Sequence, residues 1–291
     1  MFKVALISGV AGFIGSHIAD SLVEQGYLVV GLDDLSNGKL ENINEQVAFF
    51  QMDLSEAGIL FERYKIDVVI HCAAQVDVLK SINDPIHDAM ENIFGSLALF
   101  EAMKNSDCKR IIFLSSGGAL YQEENATEEN IPKPISPYGI AKYSVENYLL
   151  NFYADTHKFQ PTVLRLSNVY GPRNNHGIIS LALNKLKHKK PLTIYGGDQE
   201  RDYIAVSDVV SAVDLVLKKE LAGIYNVSTE FSLKLNDLIG IIKEACSAPD
   251  KLIKYADYKQ GELMKSAFSS KKLQKEGWRP KIDILNGILN L

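Results

Sequence analysis

The chain is poor in cysteine. Cys72, Cys108 and Cys246 are an odd, scattered set in 291 residues. That excludes a disulfide framework and a Cys-x-x-Cys centre, and it points to a reducing compartment. Cys72 falls inside an apolar run, where a thiol is an inert core group. The six histidines, His17, His71, His87, His157, His176 and His188, lack close ligand spacing, so no metal is expected. Positive charge is also short: 31 Lys and Arg against 36 Asp and Glu give a net charge of −5, with no long basic run. A nucleic-acid partner is therefore not expected. No stretch approaches the roughly 18 apolar residues of a membrane span. The first residues lead straight into a strand with no leader pattern, so a cytoplasmic protein without a membrane partner is expected. Repeats and low-complexity segments are absent. What remains, 46% apolar and 23% charged residues, is ordinary globular composition.

Short apolar runs recur between helical stretches. They are Val4–Ile7, Tyr27–Leu32, Val47–Phe50, Val68–Ile70, Ile111–Leu114 and Thr162–Leu164. Continuous hydrophobicity over so few residues describes strands covered on both faces, hence a parallel sheet. Between them, Asp84–Lys104 and Pro137–His157 carry helical apolar spacing, with Pro85 and Pro137 placed where a helix starts. The pattern predicts an α/β fold, a Rossmann-type doubly wound sheet over residues 1–165. After Arg165 the texture changes to loops with Gly171-Pro172, Asn174-Asn175 and Gly196-Gly197 around one helix, Ile178–His188. This predicts a smaller substrate-binding lobe over 166–291, with some chain crossing back to the large domain.

Directly after the first strand comes a glycine triplet. Gly9 supplies a tight turn, Gly12 lets a pyrophosphate approach the backbone, and Gly15 lets helix and strand pack closely. The helix that opens at Phe13-Ile14 offers free N–H groups and a positive dipole end to phosphates. The second strand ends in Asp33, where a carboxylate accepts from the adenine ribose and repels a 2′-phosphate, favouring NAD over NADP.

Tyr138 and Lys142 lie one helical turn apart on one face. A phenol titrates near 10, and a nearby ammonium together with an oxidised nicotinamide would favour its ionised form. A tyrosine so tuned is an acid–base catalyst. The preceding strand ends in Ser115-Ser116. Taken alone, these residues suit any NAD-dependent alcohol dehydrogenase.

These segments resemble the extended short-chain dehydrogenase/reductases, and among them the UDP-glucose 4-epimerase group. Val10 to Ser16 matches the phosphate turn, Asp33 to Gly38 with Asn37 the ribose loop, and Asp53-Leu54 the adenine-contacting pair. Ala73, Ala74 and Gln75 resemble the strand-four segment lining the cofactor, with Val76 at the substrate, and Asn92 to Gly95 the buried helix motif that follows. Ser115 to Tyr121 and Tyr138 to Lys142 match the catalytic segments. Arg165 to Arg173 resembles the substrate loop, with Asn168. Tyr195 to Tyr203, with Arg201, resembles the segment that holds the nucleotide; Arg201-Asp202 also reads as a local surface ion pair.

The resemblance implies a transient oxidation at C4 of a UDP-hexose, UDP-glucose or UDP-galactose and also the N-acetylated pair. Tyr138 would take the 4-hydroxyl proton as hydride passes to NAD⁺. Ser116, with Ser115 as second choice, would hold the same oxygen, and Lys142 the nicotinamide ribose. It also implies a homodimer through the helices at about 85–105 and 138–157, with Ile93, Leu97, Phe100, Tyr148 and Phe152 divided between interface and core. Related 4,6-dehydratases carry Asp-Glu just after the catalytic Ser/Thr, and the epimerase-reductases a Cys. Here Gly117 and Gly118 stand there, which disfavours elimination. A dehydratase, a 4-reductase and a catalytically degenerate NAD-binding member are the alternatives. Lys259 replaces the usual diphosphate-gripping arginine, the loop after Arg173 is short, and Phe268 stands where an aspartate is common. Ser266 falls at a position that limits pocket width in some relatives.

Overall fold

Val4–Ser8 (β1) is buried from Ala5 onward. A strand with no polar face needs cover on both sides, and that requirement organises the whole large domain. The computed structural model describes residues 3–258 and 264–291. After β1 come α1 (Phe13–Glu24), β2 (Leu28–Asp33), β3 (Ala48–Gln51), α2 (Gly58–Arg63), β4 (Val68–His71) and α3 (Val78–Asn83). Next are α4 (Pro85–Ala89), a wide π-type turn at Met90–Phe94, α5 (Gly95–Lys104), β5 (Arg110–Ser116) and α6 (Gly117–Leu120). Then follow α7 (Pro137–Asn147), a second π-type turn at Tyr148–Tyr153, α8 (Ala154–His157) and β6 (Gln160–Leu166). The two long helices foreseen in the sequence are therefore present, each interrupted by one wide turn.

The remainder comprises β7 (Asn168–Tyr170), α9 (Gly177–Lys187), β8 (Leu192–Tyr195), β9 (Glu200–Ala205), α10 (Val206–Lys219) and β10 (Gly223–Val227). β11 (Ser232–Lys234), α11 (Leu235–Ala245), β12 (Ile253–Ala256), β13 (Lys265–Ser266), α12 (Lys271–Lys275) and α13 (Ile284–Leu289) complete it.

The main sheet has the order β10-β6-β5-β4-β1-β2-β3, with every pairing parallel. One face is covered by Ile18, Ala19 and Leu22 of α1 and Val209, Val213 and Val216 of α10. The other is covered by Leu60 of α2, Leu99, Phe100 and Met103 of α5, and Val145 of α7. Strand order reverses between β1 and β4, so the carboxyl ends of these two strands open a crevice for a ligand. α10 and β10 belong to this layer although they follow β6 and β7 in the chain.

The smaller lobe has its own core: Ile179, Leu183 and Leu186 of α9 pack with Leu192, Ile194, Leu238, Ile242 and Ile288. β9 forms a separate sheet with β7, β11 and β13 and links the two cores, with Ile204 in the core of the large domain and Ala205 in that of the lobe. The Asp208 carboxylate accepts from the N–H groups of Lys281 and Ile282, tying the last segment of the chain to α10. Among the described residues no helix is long and apolar enough to cross a membrane.

Candidate active site

A cleft of about 1360 Å³ runs along the carboxyl ends of the sheet into the small lobe. At its floor the glycine turn is built so tightly that only glycine fits. Gly9 has φ +71°, and a Cβ there would stand 2.7 Å from the Ala73 nitrogen; at Gly15 it would stand 2.1 Å from the Gly9 carbonyl oxygen. The turn thus brings bare backbone to the cleft, and no side chain among the described residues caps the first turn of α1. Both features suit a diphosphate.

Asp33 closes β2 with 7% of its surface exposed. Its carboxylate accepts from the N–H groups of Ala11 and Leu35, at 3.0 and 2.8 Å. A carboxylate has about four lone-pair sites, so capacity remains for ribose hydroxyls. Burial raises its pKa, opposed by the backbone N–H groups of Leu35, Ala11 and Gly12. Phe13, Ile14, Asn37, Asp53, Leu54, Ala73, Ala74 and Gln75 also line the cleft.

Two of the expected cofactor residues, Asn92 and Gln75, are bonded to each other. Asn92 is 3% exposed and clamps Gln75 from behind, accepting from its N–H at 2.9 Å and donating to its carbonyl at 3.0 Å. The Gln75 amide is itself spent on Asp77 and Asp88. These residues shape the wall of the cleft from the inside.

Ser136 caps α7 by accepting from the Gly139 N–H, and Pro137 fits the first position because its missing N–H is not needed there. This local chemistry sets Tyr138 at the mouth of the helix, with Lys142 one turn deeper. Ser116 ends β5 and hydrogen-bonds the Tyr138 hydroxyl, which lowers its pKa, but burial dominates and pushes the phenol up to about 12. The expected lowering by Lys142 is not what the protein alone displays. The Lys142 ammonium donates to the Leu114 carbonyl at 3.0 Å and lies 4.8 Å from the centre of the Phe113 ring, against 5.9 Å for Tyr138. Burial lowers Lys142 to about 8. Cys72 also reaches the cleft wall, and burial pushes its thiol up to about 12, leaving it protonated at neutral pH.

The two serines separate cleanly. The Ser115 hydroxyl donates to Glu146 at 2.5 Å inside the protein, whereas Ser116 faces Tyr138. Glu146 and Arg165 form a buried ion pair beneath the site that the sequence reading did not join, although Arg165 opens the segment matched to the substrate loop. The Arg165 guanidinium grips Glu146 through Nε and Nη2 and donates from Nη1 to the Tyr121 hydroxyl at 2.6 Å. An arginine inside the apolar run Val163-Leu164-Arg165-Leu166 was the available signal.

In the small lobe Asn168, Tyr195 and Arg201 line the cleft, as does Val76 opposite. Asn168 Nδ2 donates to the Asp202 carbonyl at 3.0 Å. Asp202 is fully buried, and its carboxylate accepts from Ser167 Oγ, Thr229 N and Oγ1, and Glu230 N. It is a tie between loops, not one half of a surface ion pair. Ser266 is buried as well, one layer behind the wall: a Cβ on Gly118 would meet its Oγ at 3.7 Å. Lys259 lies outside the described residues.

Phe268 explains Gly117. A Cβ at Gly117 would stand 2.3 Å from the Phe268 ring, so the ring fills the place of a side chain after Ser116.

The family model described as "NAD dependent epimerase/dehydratase family" matches residues 5–228. The chain belongs to this family. A crystal structure of a UDP-glucose 4-epimerase from Thermotoga maritima with UDP-glucose is 37% identical, covers 99% of this chain and 96% of its own, and superposes with a TM-score of 0.92. The UDP-glucose 4-epimerase of Thermus thermophilus, in complex with NAD, is 35% identical, with coverage of 99% and 97% and a TM-score of 0.93. The dTDP-D-glucose 4,6-dehydratase of Bos taurus is 33% identical over 98% of this chain and 86% of its own. The chain is thus similar both to epimerases and to dehydratases, and it is an NAD-dependent enzyme of the nucleotide-sugar epimerase and dehydratase type. The glycine turn and Asp33 fit the cofactor.

Proposed function

We propose that the protein is a UDP-hexose 4-epimerase acting through a transient 4-keto sugar. The observation that carries this reading is the pair Gly117 and Phe268. Elimination of water needs a further acid and base beside the catalytic serine, and here one of the two positions is sealed by an aromatic ring. Epimerisation needs neither group. When bound, NAD supplies the acceptor for the C4 hydride, returns it, and in its oxidised form adds a positive charge to the cleft. Gly9, Gly12, Gly15, Asp33 and Asp53 would hold it. Tyr138 would remove the 4-hydroxyl proton and later return it, with Ser116 donating to the same oxygen. Asn168, Tyr195 and Arg201 would hold the nucleotide end, with Lys259 at the diphosphate.

The test is to incubate the protein separately with UDP-galactose and UDP-N-acetylgalactosamine and to separate the products. The gluco epimers should accumulate without net NADH. A 4-keto-6-deoxy product, or no interconversion by NAD-loaded protein, would overturn the reading.

The same reading includes a homodimer. Ile86, Met90 and Phe94 stand 78%, 52% and 55% exposed on one face of the 85–104 helix, beside exposed Ile140, Tyr148 and Phe152. Phe100, by contrast, is fully buried in the monomer. Exposed apolar side chains gathered on neighbouring helices support an interface between two copies of the chain. Sedimentation should give twice the chain mass, and Phe94→Glu combined with Phe152→Glu should halve it. A wild-type protein sedimenting as a single chain would end this proposal.

A further inference from the structure

Asp88 holds the Gln75 amide behind the cleft wall, and its charge has no part in the chemistry described so far. It is 1% exposed, on α4, which packs against α7, the helix that carries Tyr138 and Lys142. Its Oδ1 accepts from Gln75 Nε2 and Asn92 Nδ2, each at 2.9 Å. Its Oδ2 is buried with no hydrogen-bond partner. An unsatisfied buried carboxylate oxygen is costly and calls for an explanation. The hydrogen bonds to Gln75 and Asn92 use one oxygen only, and a neutral amide could accept them equally well. The negative charge is what the geometry leaves over.

That charge lies near the reacting groups. It makes the Tyr138 phenol and the Lys142 ammonium each hold its proton more tightly, while burial raises Asp88 itself, opposed by Gln75, Asn92, Lys142 and His87. The other titratable groups acting on this set are Cys72 and Glu146, both on Lys142. We propose that Asp88 is a positioning residue for the catalytic pair: a charged strut that locks the 73–77 wall of the cleft through Gln75 and sets the field in which Tyr138 and Lys142 operate. This rests on Tyr138 being the acid–base group.

The experiment titrates Tyr138 in the NAD-loaded protein, reading phenolate absorbance as the difference between each protein and its Tyr138→Phe counterpart. Asp88→Asn and Asp88→Ser, two neutral replacements of which either suffices if folded, should shift this titration to lower pH, with the acid limb of kcat, its fall as pH drops, following. Gln75→Met breaks the strut and keeps the charge; it should leave the titration in place and raise KM. Neutral Asp88 variants that titrate with the wild type would overturn the proposal. So would a Gln75→Met shift as large as that of Asp88→Asn, because the effect would then be structural. A clear shift in a protein that turns over neither sugar would support the strut and count against the epimerase reading alone.

Discussion

Tyr138→Phe is expected to lower kcat by about a hundred- to ten-thousandfold, the usual loss when a positioned acid–base group is removed, with NAD still bound. The phenol is the one titratable group at the mouth of α7, held by Ser116 and backed by Lys142. In the protein alone it is pushed up to about 12, so at neutral pH it carries its proton. The base form exists above the pKa; wild-type kcat should therefore fall as pH drops through that value in the loaded enzyme. The Phe variant should lack this limb and show a flat, low profile. Substrate affinity should change little, since the hydroxyl acts mainly on the developing 4-keto oxygen. Steady-state kinetics across pH, with bound NAD measured by release on denaturation, decide the matter. Turnover within a few-fold of wild type would move the proton transfer to another group.

How much of this was legible beforehand depended on distance along the chain. The large domain's strands announced themselves because burial on both faces demands unbroken apolar runs, as in Val4–Ser8 and Ile111–Leu114. The glycine turn, Asp33, Ser116, Tyr138 and Lys142 were legible because their geometry is local: a turn, a strand end, one helical step. β10 was not, since Gly223–Val227 lies beside β6 only after α10 has crossed back over the sheet. The small lobe hid its strands for a related reason: β13 has two residues and exists through its pairing with β9. Phe268 read as a departure from pattern until the structure placed its ring where a Gly117 side chain would be. Asn92, Gln75 and Asp88 form one cluster, joined only because α4 lies under the loop after β4.

The second large effect concerns the ion pair beneath the site. Glu146→Ala is expected to destabilise the fold by about 3–5 kcal/mol, the loss seen when one partner of a buried pair is removed. Glu146 and Arg165 have side chains only 1% and 2% exposed, so water cannot replace the lost carboxylate around the guanidinium. Against a typical total stability of about 5–15 kcal/mol, that loss brings the variant close to unfolding at moderate temperature. The consequence spreads along the network. Arg165 also donates to Tyr121, whose hydroxyl donates to Asn226 of β10 at 3.0 Å, and Glu146 accepts from Ser115, the neighbour of Ser116. Strands β5, β6 and β10 and the catalytic helix thus meet at one charge pair. Urea unfolding at neutral pH reads the loss, and the double variant Glu146→Leu, Arg165→Met separates its causes. If the cost lies in the stranded charge, removing both charges should recover most of the stability, since apolar replacement of a buried pair is often neutral or better. A double variant as weak as Glu146→Ala would instead assign the stability to the hydrogen bonds to Ser115 and Tyr121.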